Sequence, residues 1–302
     1  MRAIHRLHYD RAPSVWALYP RLAVSRKPAV VPDGVQVPHI EAVLPRVAIS
    51  RAHLDAYSEV CSIRDTATHL PIAYPHMLAA PLHLAILGAE AFPVRALGLI
   101  HLRNRIAQRR AIEVDAVGGA RVWVAGHREV AKGQEFDFHT EFRIGDDVVW
   151  DETSVYLARR SRTPADESLR RAVPDKSSAK LAVDPEGPSK SSSFRVYASI
   201  GRRYARVSGD YNPIHLGKLS AKLFGFRRAI AHGMWSLARC AAELERDLLA
   251  SPCELSVEFK TPIFLPAWVL LQHWQRAEGY GLSLRDAHAN KAHLAGTLHR
   301  LG

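Results

Sequence analysis

The sequence contains few cysteines. Only Cys61, Cys240 and Cys253 occur in 302 residues. An odd number at wide and irregular spacing argues against a disulfide framework and against a zinc site. We interpret all three as small buried apolar side chains in a protein of a reducing compartment.

Long apolar runs are also absent. The longest runs are too short to cross a bilayer and are interrupted by polar residues, so we expect no membrane span. Residues 1–22 carry positive charge but have neither a continuous apolar core nor a small-residue cleavage site, so we expect no signal peptide. Together with the cysteine content, this pattern predicts a cytoplasmic protein.

Acidic residues are outnumbered by basic ones. There are 30 Asp and Glu against 41 Lys and Arg, which gives a formal net charge of +11. Such a charge attracts nucleic acid, the phosphates of coenzyme A or an acidic carrier protein. The sequence has no Cys/His finger spacing, no aromatic ribonucleoprotein motif and no clear helix-turn-helix, so we expect no nucleic-acid partner.

What is present indicates a globular chain of about two domains. Hydrophobic residues make up 47% and charged residues 24%, as in proteins with a substantial core. Residues 159–193 are rich in Ser, Pro, Lys and Asp and predict a polar linker. We therefore expect an N-terminal unit at 1–158 and a C-terminal unit at 194–302.

The two predicted units resemble each other. "YSEVCSI" at 57–63 precedes the apolar segment at 74–87, and "YARVSGD" at 204–210 precedes a similar segment at 231–244. Each pair has Tyr, then Val three residues later, and then a Met-led apolar stretch. The first unit is shorter between the two segments. This pattern suggests an internal duplication in which the first copy has lost a stretch.

Each unit is expected to contain one helix followed by antiparallel strands. After Gly233 the apolar residues follow helical spacing from Met234 to Leu248. Strand patterns follow at 253–264, 266–275 and 279–289, whereas 291–301 is ambiguous; the first unit shows such patterns at 120–130 and 136–160, with a hairpin turn at 145–147. This order predicts an α+β fold in which one helix lies on a curved sheet.

The run "SGDYNPIH" at 208–215 combines turn-forming and ionisable residues. Gly209 permits unusual backbone angles, and Asn212 and Pro213 favour a tight loop. A polar turn explains these residues without any further role. Alternatively, the loop holds Asp210 and His215 at one site, where a carboxylate and an imidazole share a water and exchange protons with a substrate.

The run "AHGM" at 231–234 precedes the apolar helix. Free backbone N–H groups and the positive end of the helix dipole gather at such a position. Because Gly233 has no side chain, a substrate carbonyl can approach its amide and be stabilised as negative charge develops. A tight turn before the helix is the simpler explanation of the same glycine.

Taken together, residues 204–238 resemble the signature of the MaoC-like dehydratases, also called type 2 or (R)-specific enoyl-CoA hydratases. The matching positions are Tyr204, Ser208-Gly209-Asp210, Asn212-Pro213-Ile214-His215, Ala221, Gly225-Phe226, Ile230 and His232-Gly233-Met234. The resemblance implies a hot-dog fold, in which an antiparallel sheet wraps a long helix. It also implies reversible addition of water to trans-2-enoyl thioesters, giving (R)-3-hydroxyacyl thioesters, with no metal or other cofactor.

The resemblance also assigns roles to residues of this chain. The catalytic pair of the family falls on Asp210 and His215, and the backbone amide that binds the thioester carbonyl falls on Gly233. Asn212, Ser208 and His232 are expected to order the loop or to contact substrate. Which member of the catalytic pair is acid and which is base stays open, because closely coupled groups titrate together.

The first unit departs from this signature. Ile63 stands where the second unit has Asp210, nothing matches "NPIH", and His76 takes the position of Gly233. This is similar to double hot-dog hydratases, in which only one unit keeps the catalytic machinery. The lost stretch would leave space for a longer or bulkier acyl chain.

Partners and alternative functions follow from the same residues. The substrate carrier is expected to be coenzyme A or an acyl carrier protein, with Arg227 and Arg228 as weak candidates for phosphate contacts. The chain could assemble as a homodimer of double hot dogs. A hot-dog thioesterase is an alternative, although Glu243 and Glu245 come too late in the helix to serve as its acid. A non-catalytic acyl-CoA-binding regulator is another.

Overall fold

The structure is a computed structural model that describes residues 4–64, 66–160, 185, 187–244 and 249–301. Its strands are β1 (Ile4–His8), β2 (His39–Ala48), β3 (Ile100–Gln108), β4 (Val117–Val124), β5 (Arg128–Val130), β6 (Gly133–Ile144), β7 (Asp147–Arg159), β8 (Ser189–Val196), β9 (Cys253–Phe259), β10 (Ala267–Arg276), β11 (Gly279–Asp286) and β12 (Ala292–Arg300). Its helices are α1 (Val15–Ala23), α2 (Arg51–Cys61), α3 (Tyr74–Gly88), α4 (Ile200–Ser208), α5 (Pro213–Leu216), α6 (Lys218–Leu223) and α7 (Gly233–Ala241).

One 12-stranded sheet runs through both halves of the chain. Its order is β1-β2-β4-β6-β7-β3-β9-β12-β11-β10-β8, with β5 paired to β6 on the side. Every pairing is antiparallel except that of β1 with β2. The halves join where β3 pairs with β9, for example at Arg103 opposite Glu258. The two units therefore share one sheet.

The two halves repeat the same topology. The first half has the order β2-β4-β6-β7-β3 and the second has β8-β10-β11-β12-β9. When the five strands of each order are numbered along the chain, both orders are first, third, fourth, fifth and second. The internal repeat in the sequence predicts such a shared order. The exact unit boundaries stay a prediction.

The central helices pack their apolar residues against the sheet. Helix α3 is apolar around most of its circumference and is buried along most of its length, in contact with β2, β4 and β6. In α7 the predicted apolar positions Met234, Leu237 and Ala241 are buried. The predicted α+β fold of two hot-dog units is confirmed, since each half places a helix against an antiparallel sheet.

Several local expectations were wrong. In each half a strand and a further helix precede the central helix. These further helices, α2 and α4, form where loops were expected. The helix predicted at 234–248 ends at Ala241, and Leu248 lies outside the described residues. The ambiguous segment 291–301 forms strand β12, which fills the sheet between β11 and β9.

The predicted linker is only partly described. Residues 161–184 and 186 lie outside the described part of the chain. At its edges, Arg159 ends β7 and residues 189–193 belong to β8, which pairs with β10. These edge residues are therefore strand rather than linker.

The three cysteines are buried and free, as expected. Among the described helices, none has the length and apolar character needed to cross a membrane.

Candidate active site

The loop that carries Asp210 begins at the end of α4. Gly209 caps this helix in the left-handed region, with φ at 71°, and its N–H donates to the carbonyl of Ala205. The Asp210 N–H donates to Ser208 Oγ at 3.1 Å. The side chain of Asn212 then caps α5 by accepting from the Ile214 N–H at 3.4 Å. The turn chemistry predicted for this run is therefore present, and Asp210 takes part in it.

His215 lies on the short helix α5 with one ring nitrogen fixed. Its Nδ1 is 2.8 Å from the carbonyl oxygen of Ile230, which can only accept, so Nδ1 carries the proton. In the neutral ring, Nε2 is then a free base. Nε2 lies 3.9 Å from Asp210 Oδ2, which is too long for a direct hydrogen bond. The two groups are therefore close without being directly paired.

His232 supports both members of this pair. Its ring stacks on the ring of His215 with centroids 3.6 Å apart. Its Nε2 donates to the backbone carbonyl of Asp210 at 3.0 Å and lies 3.7 Å from Asp210 Oδ2. Tyr204 packs against its ring at 4.9 Å. His232 is thus a support for the loop, one of the two roles that the sequence allowed.

The two carboxylate oxygens of Asp210 have different surroundings. Oδ1 accepts from the Asn212 N–H at 3.0 Å and from the Tyr19 hydroxyl at 3.1 Å. Oδ2 faces the imidazoles of His215 and His232. The Asp210 side chain is 46% exposed. Oδ1 is anchored and Oδ2 remains available for chemistry.

The charges of the site follow from these contacts. Burial raises the pKa of Asp210, but His232, His215 and the hydrogen bonds to the carboxylate outweigh it and lower that pKa overall. Burial lowers the pKa of His215, and Asp210 offsets this only in part. Burial and the neighbouring His215 lower the pKa of His232 to about 3. Near neutral pH the site therefore holds a carboxylate beside two neutral imidazoles.

Gly233 is the first residue of α7, where helices leave backbone N–H groups unpaired. A Cβ at this position would lie 3.1 Å from Cε1 of Phe259, so a side chain would crowd that ring. Phe259 in turn packs against His101 of β3, with ring centroids 4.9 Å apart. Glycine at position 233 therefore allows the Phe259 ring to pack close to the start of α7.

Sequence reasoning missed the contribution of α1. Tyr19 donates to Asp210 Oδ1 and accepts from the Tyr211 N–H at 2.5 Å. The ring of Trp16 packs on that of Tyr211, with centroids 4.5 Å apart. The only sequence signal was a cluster of aromatic residues at 16–19. Such a cluster does not predict contact with a residue 191 positions further along the chain.

The corresponding positions of the first half carry no such machinery. Ser62 caps α2 in the left-handed region, with φ at 57°, as Gly209 caps α4, and the next residue is Ile63 in place of Asp210. Helix α3 begins at Tyr74, so His76 is its third residue rather than the counterpart of Gly233. His76 instead pairs with the fully buried Glu152 at 2.7 Å.

A cavity of about 230 Å³ lies at the shortened loop of the first half. Residues 68–73 line it on one side, and Ala238, Ala241 and Ala242 line it on the other. Tyr57 also lines it, and the Tyr57 ring lies 6.4 Å from that of Tyr204. The cavity is therefore next to the site, separated from His232 by a layer of aromatic rings.

Two groups of side chains have metal-compatible spacing, with ligand atoms within 4.8 Å of one another: Asp210, His215 and His232, and His76, His83 and Glu152. In the first group, His232 Nε2 already donates to a carbonyl. In the second, His76 and Asn104 already hydrogen-bond to Glu152. We assign no metal ligands on this geometry.

Arg227 and Arg228 lie beyond α6. The Arg227 guanidinium lies over the ring of Phe264, 4.4 Å from its centroid. Neither guanidinium forms an ion pair within the part of the chain that the structure describes. Their proposed contact with phosphate stays a prediction.

Comparison with known proteins gives the class of this fold and site. Residues 186–281 match the MaoC like domain. A MaoC-like dehydratase from Phytophthora capsici superposes with a TM-score of 0.65 at 16% identity, over 86% of this chain and 95% of the other, which is a likeness of fold.

A relative from Mycobacterium tuberculosis is more similar. The protein named 3-hydroxyacyl-thioester dehydratase X is 32% identical over 272 residues, which cover 90% of this chain and 93% of the relative. A crystal structure of the M. tuberculosis protein HtdX superposes with a TM-score of 0.72 at 31% identity, over 86% of this chain and 100% of the other. The chain belongs to the MaoC-like dehydratase family.

Proposed function

We propose that this chain catalyses the reversible hydration of trans-2-enoyl thioesters to (R)-3-hydroxyacyl thioesters. The observation that carries the proposal is the placement of Asp210 Oδ2 and His215 Nε2, 3.9 Å apart, both in contact with His232, the residue before the first amide of α7. The similarity to 3-hydroxyacyl-thioester dehydratase X supports the same reaction. As an enzyme, the chain is then a hydro-lyase.

The protonation state of the pair allows it to take up and return the one proton that the reaction moves. With Asp210 ionised and His215 neutral, the pair can accept one proton. In dehydration it takes the proton from C2 and returns it to the hydroxyl leaving C3, so that water departs and the pair regains its first state. In hydration the same steps run in reverse. Because the two groups are coupled, the proton belongs to the pair rather than to one residue.

The amide of Gly233 would act on the thioester carbonyl. When C2 loses its proton, negative charge develops on that oxygen. An unpaired N–H at the start of α7, together with the helix dipole, stabilises this charge more than it stabilises the neutral carbonyl. Asn212, Ser208 and His232 act by holding the loop, since each hydrogen-bonds its backbone.

The first half would accommodate the acyl chain. From Gly233 to Ala241, α7 rises by about 12 Å, and its far end lines the cavity beside the shortened loop. An acyl chain that starts at the Gly233 amide and follows α7 would therefore reach this cavity in the first half. Relative rates on a series of enoyl-CoAs test this idea, and strict preference for four carbons would overturn it.

Other properties of the reaction remain proposals. We expect no metal or redox cofactor, with coenzyme A or acyl-carrier phosphopantetheine entering as part of the substrate. Arg227 and Arg228 are the candidates for phosphate contacts. We also expect a homodimer, which light scattering on the purified chain measures directly.

The alternative functions fit the site less well. A thioesterase acid would need to face the substrate carbonyl, whereas Glu243 lies beyond the end of α7 and pairs with Arg239 at 2.6 Å. Glu245 lies outside the described residues. A non-catalytic regulator would leave the paired Asp210 and His215 without a purpose.

The direct test follows loss of the conjugated enoyl absorbance of crotonyl-CoA and of longer enoyl-CoAs. We expect turnover by the wild type and a fall of about 10²–10⁴-fold for Asp210→Asn and for His215→Ala, the range typical of a lost acid or base. Asp55→Asn is a matched control, because Asp55 lies on α2 in an exposed pair with Arg51. Full activity in either site variant would refute the assignment.

A further inference from the structure

Helix α1 contacts the loop that carries Asp210 although it lies near the start of the chain. Val15, Trp16 and Tyr19 lie on its side that faces the loop. A Cβ at Gly209 would come within 2.9 Å of Val15 Cγ1, and Trp16 packs on Tyr211. The Tyr19 hydroxyl reaches the carboxylate of Asp210, 191 positions along the chain.

The neighbouring stripe of α1 is anchored in the first half. Leu18 and Leu22 are buried, and Leu22 lies next to Gly88 at the end of α3. After the helix, the Lys27 ammonium donates to the carbonyl of Ala89 at 2.5 Å. The helix therefore connects the core of the first half to the catalytic loop of the second half.

The Tyr19 hydroxyl is placed to fix the rotamer of Asp210. It accepts from the Tyr211 N–H and donates to Oδ1, so its own orientation is set by the loop backbone. With Asn212 N–H as the second donor to Oδ1, rotation of the carboxylate would break two hydrogen bonds. Oδ2 is thereby kept toward His215 and His232.

Tyr19 stays a donor over the working pH range. Burial raises its pKa above the ordinary value, and the negative charge of Asp210 raises it further. A hydrogen bond to the carboxylate favours the ionised form of Asp210 and counteracts the burial that opposes it. Other titratable groups also surround this carboxylate. They are His215 on α5, His232 before α7, His101 on β3, Tyr156 on β7 and Tyr204 on α4.

We propose that Tyr19 is a positioning residue of the active site, which holds Asp210 in its catalytic rotamer and ties the loop to the N-terminal helix. The inference rests on the proposed hydratase function for its kinetic consequences. Its structural core, a hydrogen bond that acts on Asp210, can be tested without any turnover.

The test uses Tyr19→Phe, which keeps the ring and removes the hydroxyl. We expect kcat on crotonyl-CoA to fall by about tenfold with little change in KM, because a hydrogen bond to a charged group is lost while the cleft keeps its shape. Carbon NMR of the labelled Asp210 carboxyl, assigned with Asp210→Asn, should show its pKa rising in the variant. An unchanged kcat together with an unchanged Asp210 pKa would overturn the proposal.

Two further proteins separate positioning from general stability. Tyr9→Phe is the control, since Tyr9 lies in the same N-terminal segment and its hydroxyl bonds no residue that the structure describes; it should leave kcat and the Asp210 titration unchanged. Fluorotyrosine at position 19 keeps the packing and donates more strongly, so the Asp210 pKa should fall. A shift in the same direction as for Tyr19→Phe would refute the hydrogen-bond account even if Tyr19→Phe folds poorly. An inactive wild type with a normal NMR response would instead refute the proposed function.

Discussion

The two halves of the molecule share a scaffold and differ in one loop. Both halves have the same strand order, and both place a helix, α2 or α4, before the central helix. A residue in the left-handed region, Ser62 or Gly209, ends this preceding helix. Residues 62–73 then connect to α3, whereas 209–232 connect to α7 over a much longer path. The longer path contains α5, α6 and both members of the catalytic pair.

This difference shows that the fold supplies positions and the loop supplies chemistry. A helix N-terminus exists in both halves, but that of α7 follows a loop that brings Asp210 and His215 together, whereas His76 near the start of α3 pairs directly with Glu152. In the first half the shortened loop leaves a cavity instead. Under the proposed function, one half performs the reaction and the other offers space for the substrate, an arrangement that the following changes would break or sharpen.

The largest of these effects is expected at the start of α7. In Gly233→Ala the new Cβ would lie 3.1 Å from Phe259, so either the ring or the backbone must move. We expect kcat to fall by about ten- to a hundredfold, somewhat less than when an oxyanion donor is removed outright. Steady-state kinetics on crotonyl-CoA measures the change.

The matched control is in the first half. In Gly88→Ala, at the end of α3, the new Cβ would meet Leu22 at an ordinary 3.5 Å. This variant should keep full activity. Equal losses in the two variants would mean that the role of Gly233 is structural.

A second change fills the cavity of the first half. Ala241 lines it from α7, so Ala241→Leu would place a larger side chain there. We expect kcat/KM for a long enoyl-CoA to fall by about tenfold or more, since several methylenes lose their site. Activity on crotonyl-CoA in the same variant is the internal control. A uniform loss for all chain lengths would show that the cavity does not bind the acyl chain.

The pH profile examines the charges of the second half. His215 can accept a proton only while its ring is neutral, and burial lowers its pKa below the ordinary 6.5. Activity should therefore persist as the pH falls through 6.5 and be lost at lower pH, when the ring becomes protonated. The dependence of kcat/KM on pH reports this limb for the free enzyme. An acid limb centred above 6.5 would contradict the neutral imidazole.

The smallest effect concerns the two helix caps. Ser62 adopts φ of 57°, which costs free energy for a residue with a Cβ. Ser62→Gly should raise the free energy of unfolding by about 0.5 kcal/mol, after the entropy cost of glycine. Gly209→Ala should lower it by about 1 kcal/mol or more, because strain and the contact with Val15 add. Denaturant unfolding measures both changes in the free energy of unfolding. Changes of the same sign in the two variants would contradict this expectation.

The sequence predicted those features whose signals are local. The strand pattern that starts at Cys253 contains β9, which ends at Phe259, and the turn at 145–147 joins β6 to β7. The loop run also gave its own cap hydrogen bonds, since these join residues two positions apart. Short-range patterns of this kind can be read without knowing the rest of the fold.

The remainder depends on contacts between distant parts of the chain. Tyr19 meets Asp210 only because α1 packs across both halves, and no periodicity in α1 reports that. The buried pair of His76 and Glu152 likewise joins α3 to β7. The prediction that His76 corresponds to Gly233 was wrong. It aligned Met77 with Met234, and such an alignment does not show where α3 begins.

The central claim is that the chain has two hot-dog units and one active site. The most direct measurement is the residual hydration of crotonyl-CoA and of a long enoyl-CoA by the double variant Asp210→Asn, His215→Ala, with its fold checked by thermal unfolding. The account predicts no turnover above background on either substrate, because the first half has Ile63 where the second has its carboxylate. Measurable turnover by the folded double variant would contradict it and place a second site elsewhere in the chain.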